Sequence, residues 1–425
     1  MLYYLDIKSD ILLEQVNNYL VRRNLMKKHI FLCSIMSAIV LTCLTVSVTA
    51  ADKGISELPH VKIIIDGQSG TYKNVPISVD DKTLLPLREV LTNLGVENDD
   101  EHIIWDGKEN SVTVVKDSDK IYLKVGSDKA TVNGKEVALD TEAVLYKDRT
   151  YIPVGFVAQS LGKKVVWDGS SKSVLIRDEA EFNRIQDIIK KSDAAMAEIN
   201  NYQVKLDLTA TSRQEDFSLD IGTTVDSKVD MLNKDMYLNM KMNMLGTDLN
   251  MEAYFVDNVL YARYAGEEMS EEWIKTEMPG EEYEELFKQN GNTDIFDASD
   301  ALSAGLKEVQ SENAGEILLK GDVFLGELLK MVGQEQGQDF SGMEFDKFNI
   351  EISLDKDTYR INRLVMEMTY LPAPYADVEP GKVEMHVSCE YSDYNSSVKI
   401  TVPQEVLEKA VDAYDFDLEN YDDEI

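Results

Sequence analysis

The sequence predicts an α+β protein, in which a duplicated strand–helix–hairpin domain precedes a curved antiparallel half-barrel sheet with helices on one face. Three observations lead to this prediction. A Trp-Asp-Gly phrase occurs twice at matched spacing in the first half of the chain. Apolar and polar residues alternate with a period of two along five later segments. The charge also changes, since residues 52–178 carry 21 acidic and 17 basic side chains whereas residues 179–425 carry 54 and 21.

The first 51 residues have the composition of a leader. Two lysines precede an apolar run over residues 30–48, which ends in Val-Thr-Ala, and this order is typical of a secretory signal peptide. The residues before Met26 carry charges of both signs and fit no signal. We therefore predict that Met26 is the true start and that residues 1–51 are a wrongly assigned start plus a signal peptide. Two alternatives stay open: residues 30–48 are retained as a membrane anchor, or Cys43 carries a lipid, although a threonine precedes it where lipoprotein signals have a small residue.

The net charge limits which partners we expect, and the cysteine content limits which disulfide bonds can form. The formal net charge is −35, and a field of this sign repels nucleic acid, so we expect no nucleic-acid partner. Without the leader, Cys389 is the one remaining cysteine, so no internal disulfide is expected. Residues 416–425 read as an acidic tail.

The repeated unit is longer than its Trp-Asp-Gly phrase. Copy one contains KTLLPLREVLTNLG (residues 82–95) and WDGKENSVTVV (residues 105–115), and copy two contains RTYIPVGFVAQSLG (residues 149–162) and WDGSSKSVLIR (residues 167–177). In each copy the proline suits the first turn of a helix and the final glycine suits a left-handed helix end. The copies differ in the join before the tryptophan, which is five residues longer in copy one.

The two Trp-Asp-Gly segments are predicted to have a structural role and not to form a binding site. Asp-Gly is a common hairpin turn, and Trp105 and Trp167 are interpreted as core aromatics at the edge of each hairpin, because large aromatic side chains are usually buried. The return strands are expected to bury Val112 and Val114 in copy one, and Val174 and Ile176 in copy two.

On these residues, the region over about 60–178 resembles the copper amine oxidase N-terminal-like domain, the stalk domain common in secreted proteins of Gram-positive bacteria. The resemblance implies a small sheet wrapped on helices and an accessory or surface role. It does not imply oxidase chemistry, which lies in other domains of the oxidases. Copy two has Val154-Gly155 where the pattern has Leu-Arg, so any role of that arginine falls to Arg88 alone.

No catalytic or cofactor motif stands out, and we predict a non-enzymatic protein without cofactor or metal. Asn420-Tyr421-Asp422 matches the tyrosine motif that amine oxidases convert to their cofactor, but it lies in the acidic tail. Copper there would need about three histidines, and His60, His102 and His386, the histidines that follow the leader, are not at ligand spacing.

The second region, residues 179–415, is predicted to open with a helix over 178–200 and to continue as a sheet. Alternation marks strands in YQVKLDLTA, MYLNMKMNM, LNMEAYF, LVMEMTY and MHVSCEY. Further helices are predicted over residues 281–290, 297–309, 321–333 and 402–414.

One face of this sheet is rich in methionine, which is flexible and can repack around apolar ligands. The candidate groove residues are Leu238, Met240, Met242, Met244, Met251, Phe255, Met366, Met368 and Met385. Two other interpretations stay open: the face is an ordinary core packed under helices, or the methionines at 240, 242 and 244 are soft Cu(I) ligands.

The layout of residues 180–415 is similar to that of the LolA/LppX-like lipoprotein family: an opening helix, a tyrosine leading into the first strand, then DNVLYARY and EEWIKTEMP. This resemblance implies a curved sheet and a helical lid around an apolar cavity, and no site residue transfers with it. The hypothesis is a secreted cell-envelope protein that binds a lipid or other apolar ligand and contacts a cell-wall or envelope component. The alternative is a purely structural or adhesive surface protein with a filled core.

Overall fold

The computed structural model describes residues 55–70, 72–169, 171–214, 217–266, 271–280, 283–284, 287, 300–322, 344–371, 381–397 and 399–413. The predicted leader, with its anchor and lipidation alternatives, and the acidic tail lie outside these residues. Within the described residues, we find no helix with the length and apolarity that a membrane crossing requires.

The described residues of the first region form fourteen strands and two short helices. Its strands are β1 (Ser56–Glu57), β2 (Lys62–Ile65), β3 (Gln68–Ser69), β4 (Ile77–Val79), β5 (Lys82–Pro86), β6 (Ile103–Asp106), β7 (Ser111–Lys116), β8 (Asp119–Lys124), β9 (Lys129–Val132), β10 (Lys135–Ala138), β11 (Val144–Tyr146), β12 (Arg149–Pro153), β13 (Lys163–Asp168) and β14 (Ser173–Asp178). Its helices are α1 (Leu87–Asn93) and α2 (Val154–Ser160).

These strands form three sheets, whereas the stalk-domain resemblance implied one. Their orders are β1-β4-β5-β12-β11, β10-β9-β8-β7-β6 and β13-β14-β2-β3. The two copies meet where β5 pairs antiparallel with β12. The third sheet joins the hairpin of copy two to β2 through a parallel pairing.

Each copy begins as its sequence predicts. Pro86 and Pro153 end a strand and cap α1 and α2, because their fixed φ angles of −64° and −62° lead into the first helical turn. Gly95 and Gly162, just after the helices, have φ of 82° and 69°, a left-handed conformation that glycine adopts without strain. The predicted inward residues of the return strands, Val112, Val114, Val174 and Ile176, are all buried.

The interpretation of the tryptophans as core residues is wrong. Trp105 is 42% exposed and Trp167 is 52% exposed. Trp105 alternates with the buried Ile103 and so projects to the inner face of β6, but it lies over an open cleft instead of a packed neighbour. The aspartates act as predicted turn formers: the Asp106 carboxylate accepts hydrogen bonds from the backbone of Lys108 and Glu109.

The second region is built on one twelve-stranded sheet of order β21-β22-β23-β24-β25-β15-β16-β17-β18-β19-β20-β26. Its strands are β15 (Asn201–Gln214), β16 (Phe217–Asp230), β17 (Asp235–Met244), β18 (Thr247–Val256), β19 (Val259–Gly266), β20 (Ile274–Glu277), β21 (Lys307–Val309), β22 (Glu316–Gly321), β23 (Glu344–Asp355), β24 (Ile361–Leu371), β25 (Lys382–Ser392) and β26 (Val411–Asp412). The described pairings are antiparallel except β20 with β26. The sheet curls into a half-barrel, so the predicted α+β class is confirmed.

The helices whose bounds the structure describes in this region are α3 (Glu179–Ala197), α4 (Asp300–Gly305) and α5 (Gln404–Lys409), and Gly280, Tyr283, Glu284 and Phe287 are also helical. The Asp178 carboxylate caps α3 by accepting from the backbone of Ala180 and Glu181. The predicted helix over 297–309 is shorter, because β21 begins at Lys307. Most of the predicted helices over 281–290 and 321–333 lies outside the described residues.

One buried cluster spans the two regions. Ile64 on β2 and Leu175 on β14 belong to the same buried cluster as Phe182 on α3 and Leu302 on α4. Polar contacts reinforce this joint: the backbone N–H of Ser69 donates to the Asp322 carboxylate at 2.7 Å, and the N–H of Asp322 donates to the Gly67 carbonyl at 3.0 Å. Residues adjoining β2, at the start of the described chain, are thereby bound to the edge of the large sheet.

Candidate functional site

Strand register places all nine candidate groove residues on one face of the large sheet. Directly paired residues of neighbouring strands point to the same side. One row runs from Met368 through Met385, Ala210 and Ile221 to Met244. The other candidates follow by pairing or by steps of two: Met366 opposes Val387, Met240 opposes Met251, and Leu238 and Phe255 alternate with these along β17 and β18. The apolar face is therefore continuous from β24 to β18.

The structure divides this face between two packed clusters. The first contains Leu238, Met240, Met251 and Phe255, each at most 5% exposed, together with Met278, Tyr283 and Phe287. The Tyr283 and Phe287 rings lie 5.2 Å apart. This end of the face is covered by apolar side chains of the chain itself.

The second cluster contains Met366, Met368 and Met385, each about 9% exposed. It also contains apolar residues of α3, among them Ile185 and Ile189. Because the helix and the strands contribute to the same cluster, the predicted helical cover is present at this end of the face too.

A seam separates the two clusters, and we define it as Val204, Leu206, Val225 and Met242. These four apolar side chains are only half-buried, although they lie in the middle of the face. Val204 and Leu206 pack against the cluster that contains α3, whereas Val225 and Met242 pack against the other. Tyr202 borders both clusters. At the seam, apolar surface in the middle of the face is left incompletely covered.

Met244 lies apart from the other candidates. It ends β17, is 42% exposed, and belongs to neither cluster. The next residue, Leu245, is 61% exposed and has φ of 54° in the turn to β18. Met244 is therefore on the predicted face but at its open edge.

The titratable side chains beside the seam are buried among apolar residues, and burial keeps them protonated. Burial raises the pKa of the Cys389 thiol to about 11, with the Asp207 carboxylate as a smaller cause. Burial also raises the pKa of the Tyr391 hydroxyl well above its ordinary value, and the Tyr391 and Tyr202 rings lie 6.3 Å apart. Since these groups remain protonated at neutral pH, the seam offers apolar contact and hydroxyl groups instead of charge.

Charged residues lie on the opposite face of the same strands. Lys205, Thr224 and Lys241 alternate with seam residues and are exposed. On that face the Glu252 carboxylate accepts from Arg263 at 2.9 Å. Each strand thus separates one polar surface from one apolar surface, as the sequence alternation predicts.

Among the described residues, one group has metal-ligand types close together, namely Glu97, Asp99 and His102. The imidazole Nδ1 of His102 lies 2.8 Å from the Asp99 carboxylate. This hydrogen bond accounts for the proximity in an exposed loop.

Comparison with known families matches the chain in two parts. The model described as copper amine oxidase N-terminal domain matches residues 64–176. The model described as a family of unknown function, DUF6612, matches residues 184–411. None of the curated proteins matches the chain.

Solved structures similar to this chain include LprF from Mycobacterium bovis, with 12% identity and a TM-score of 0.31, covering 52% of this chain and 97% of that one. The lipoprotein LppX from Mycobacterium tuberculosis has 10% identity and a TM-score of 0.29, with 52% and 99% covered. A putative outer membrane lipoprotein-sorting protein domain from Vibrio parahaemolyticus has 8% identity and a TM-score of 0.18, with 51% and 95% covered. The predicted resemblances are confirmed.

Proposed function

Because this chain belongs to the family of unknown function DUF6612, we propose a function from its own geometry: the large sheet binds an apolar or lipid-like ligand at the seam. The protein is a secreted, non-enzymatic component of the cell envelope. Residues 52–178 form its attachment or spacer domain and residues 179–415 its ligand-binding domain.

The observation that carries this proposal is the incomplete cover of the seam. Val204, Leu206, Val225 and Met242 are half-buried between two clusters whose members are nearly fully buried. Contiguous apolar surface that the chain leaves incompletely covered is a feature of ligand-binding grooves. An acyl chain inserted there would gain about 0.8 kcal/mol for each CH₂ removed from water.

The methionines explain how one groove could accept ligands of different shape. Met242 is in the seam, and Met240 and Met251 pair next to it. An unbranched thioether side chain changes rotamer at low cost, so it can close over an empty groove and open around a ligand. The charged residues of the opposite face keep the remainder of the sheet in water.

A second candidate is a purely structural or adhesive surface protein. The tight burial of Leu238, Met240, Met251 and Phe255 favours it, because these four of the nine candidates already contact the chain's own side chains. In that case the whole face is a filled core and no ligand enters.

The attachment role of the first region is supported by its packed connection to the sheet. The shared cluster around Ile64 and Leu175 contacts both regions, and α3 begins directly after β14. The proposed partner is a cell-wall or envelope component. A nucleic-acid partner is disfavoured by the net charge of −35.

The test is lipid extraction from the purified protein with mass spectrometry, followed by titration with an environment-sensitive apolar dye. Met242→Glu should abolish dye binding, because it introduces a charge into the seam. The matched control is Thr224→Glu, which adds the same charge on the opposite face next to Lys241 and should leave dye binding unchanged. Circular dichroism reports whether both variants fold.

Co-purified lipid together with selective loss in Met242→Glu would support the ligand-binding function. If no lipid is extracted and dye fluorescence does not rise with the wild-type protein, the filled-core alternative holds. Equal loss in both variants would also count against the seam.

A further inference from the structure

A cleft lies in the repeat domain, and none of its lining residues belongs to the seam. It is an open cleft of about 760 Å³ between the sheets that contain β6 and β12, with α1 along its floor. Its volume is in the range of small-molecule binding sites. Trp105 and Leu145, which are 42% and 48% exposed, lie at its rim.

The charge of this cleft contrasts with that of the protein. Three cationic side chains line it, from Lys73, Arg88 and Arg149, against two carboxylates, from Glu89 and Asp148. Glu89 already accepts from the backbone of Lys73 at 2.8 Å and from the side chain of Asn74. In a chain with net charge −35, a donor-rich, cation-lined cleft is a local exception that favours an anionic ligand.

The structure holds Arg88 in place across this cleft. Its guanidinium donates to the Asn98 side chain at 2.9 Å and to the Ile103 carbonyl at 3.2 Å. It also lies 4.0 Å from the fully exposed Asp100 carboxylate, an ion pair that solvent screens and that an anionic ligand would have to displace. Asn98 belongs to the join that is five residues longer in copy one. The longer join therefore orients the arginine beside the strand that carries Trp105.

The residues around the tryptophan differ between the two copies. Trp167 is also exposed, at 52%, but the positions equivalent to Arg88 and Glu89 are Gly155 and Phe156. The position that holds Arg88 in copy one therefore has no cationic side chain in copy two. The exposed tryptophan is common to both copies, whereas Arg88 and the cleft that it lines belong to copy one.

We infer that this cleft binds an anionic glycan, with a sugar ring stacked on the Trp105 indole and sugar carboxylates paired with Arg149 and Arg88. An exposed indole offers a flat apolar surface for the C–H face of a sugar, and guanidinium groups pair with carboxylates in a bidentate manner. The inference rests on the attachment role proposed above and specifies its partner chemistry.

The experiment titrates the purified protein with trigalacturonic acid and, as the neutral comparison of equal length, cellotriose. Calorimetry should show binding of the acidic trisaccharide at low salt and binding at least about tenfold weaker for the neutral one. Trp105→Ala should weaken acidic-trisaccharide binding by about tenfold or more. The matched control, Trp167→Ala, removes an equally exposed indole and should change it by less than about twofold.

Arg149→Gln tests the charge without removing the stacking surface. Arg149 is exposed, and its described hydrogen bond is a long one of 3.5 Å to the Lys147 carbonyl, so folding should be unaffected. Arg149→Gln should weaken binding of the acidic trisaccharide by about fivefold and leave binding of cellotriose unchanged.

Sedimentation with purified cell walls, used with their uronic-acid polymer and after its removal, tests the attachment role separately from the cleft. Retention by intact walls that is lost in Trp105→Ala and after removal of the polymer would support the cleft. Binding of trigalacturonic acid without retention by walls would keep the cleft and overturn the attachment role. Retention that is unchanged in Trp105→Ala and Arg149→Gln would overturn the cleft but keep the attachment role. If the wild-type protein binds neither intact walls nor trigalacturonic acid, the cleft and the wall partner both fail.

Discussion

The return strands of the two repeats, β7 and β14, began as copies but occupy different surroundings. In β7 the buried residues Val112 and Val114 alternate with the half-buried Thr113 and Val115. In β14 every residue from Ser173 to Arg177 is buried. The second face of β14 is covered because α3 and α4 pack against its sheet. The two return strands thus share a buried inner face. The outer face of β14 differs from that of β7 because it packs against the second region.

The strongest test of this comparison exchanges the outer-face residues. Leu175 is 1% exposed and lies in the shared core, whereas the equivalent residue of copy one is Thr113. Leu175→Thr should lower the free energy of unfolding by about 3 kcal/mol, since it leaves a cavity and a hydroxyl in the joint. Chemical denaturation measures the change.

The reciprocal variant, Thr113→Leu, is the matched control and should change the free energy of unfolding by no more than about 0.5 kcal/mol. Similar losses in both variants would mean that β7 and β14 are equally embedded, contrary to the comparison.

A smaller effect is expected at the helices, where Arg88 of α1 corresponds to Gly155 of α2. A Cβ on Gly155 would meet no atom within 4 Å, so Gly155→Ala should raise the free energy of unfolding by about 0.5 kcal/mol through helix propensity. Arg88→Ala should lower it by about 1 kcal/mol, because two hydrogen bonds are lost. Thermal melts of the two variants should shift in opposite directions, and shifts of the same sign would contradict the comparison.

The smallest expected effect concerns the longer join of copy one. Hydrogen bonding to Asp99 raises the pKa of His102, and the same bond lowers the pKa of Asp99. The stabilising contribution of this pair is therefore present between the two pKa values. It is lost as pH rises through the pKa of His102 and as pH falls through that of Asp99.

An NMR titration of the His102 ring protons should show a midpoint above the usual histidine value, and Asp99→Asn should bring it down towards that value. Copy two has no equivalent of this join. An unchanged midpoint in Asp99→Asn would mean that the hydrogen bond does not hold in solution.

Much of the fold follows from local patterns in the sequence. The Pro and Gly positions of both repeats predict the bounds of α1 and α2, because each residue restricts or frees one backbone angle. Alternation predicts β15, β17, β18, β24 and β25, since each has one apolar face. The patterns did not single out β16, although Ile221 and Val225 alternate in it, because threonine and serine interrupt its apolar side.

The candidate site could be predicted only in part. Alternation assigns the candidate methionines to one face, but it carries no information on which element covers each of them. The division into two clusters and the seam between them depends on contacts such as Met240 with the cluster of Tyr283 and Phe287, which are distant in sequence. The exposure of Trp105 was missed for a similar reason, because an aromatic residue is buried only if a neighbour is there to cover it. The sequence held one signal that the two copies have different surroundings, namely that Arg88 in copy one is replaced by Gly155 in copy two.

The joint between Ser69 and Asp322 has a consequence for the order in which the chain can fold. This hydrogen bond spans 253 residues of sequence, and β2 pairs in parallel with β14, which is made only after most of the repeat domain. During synthesis, the apolar strand Lys62–Ile65 therefore has only the two-residue strand β3 as a partner until the chain has been extended far beyond it. A chaperone that binds extended apolar segments would find a target in the edge of this strand that β14 later covers.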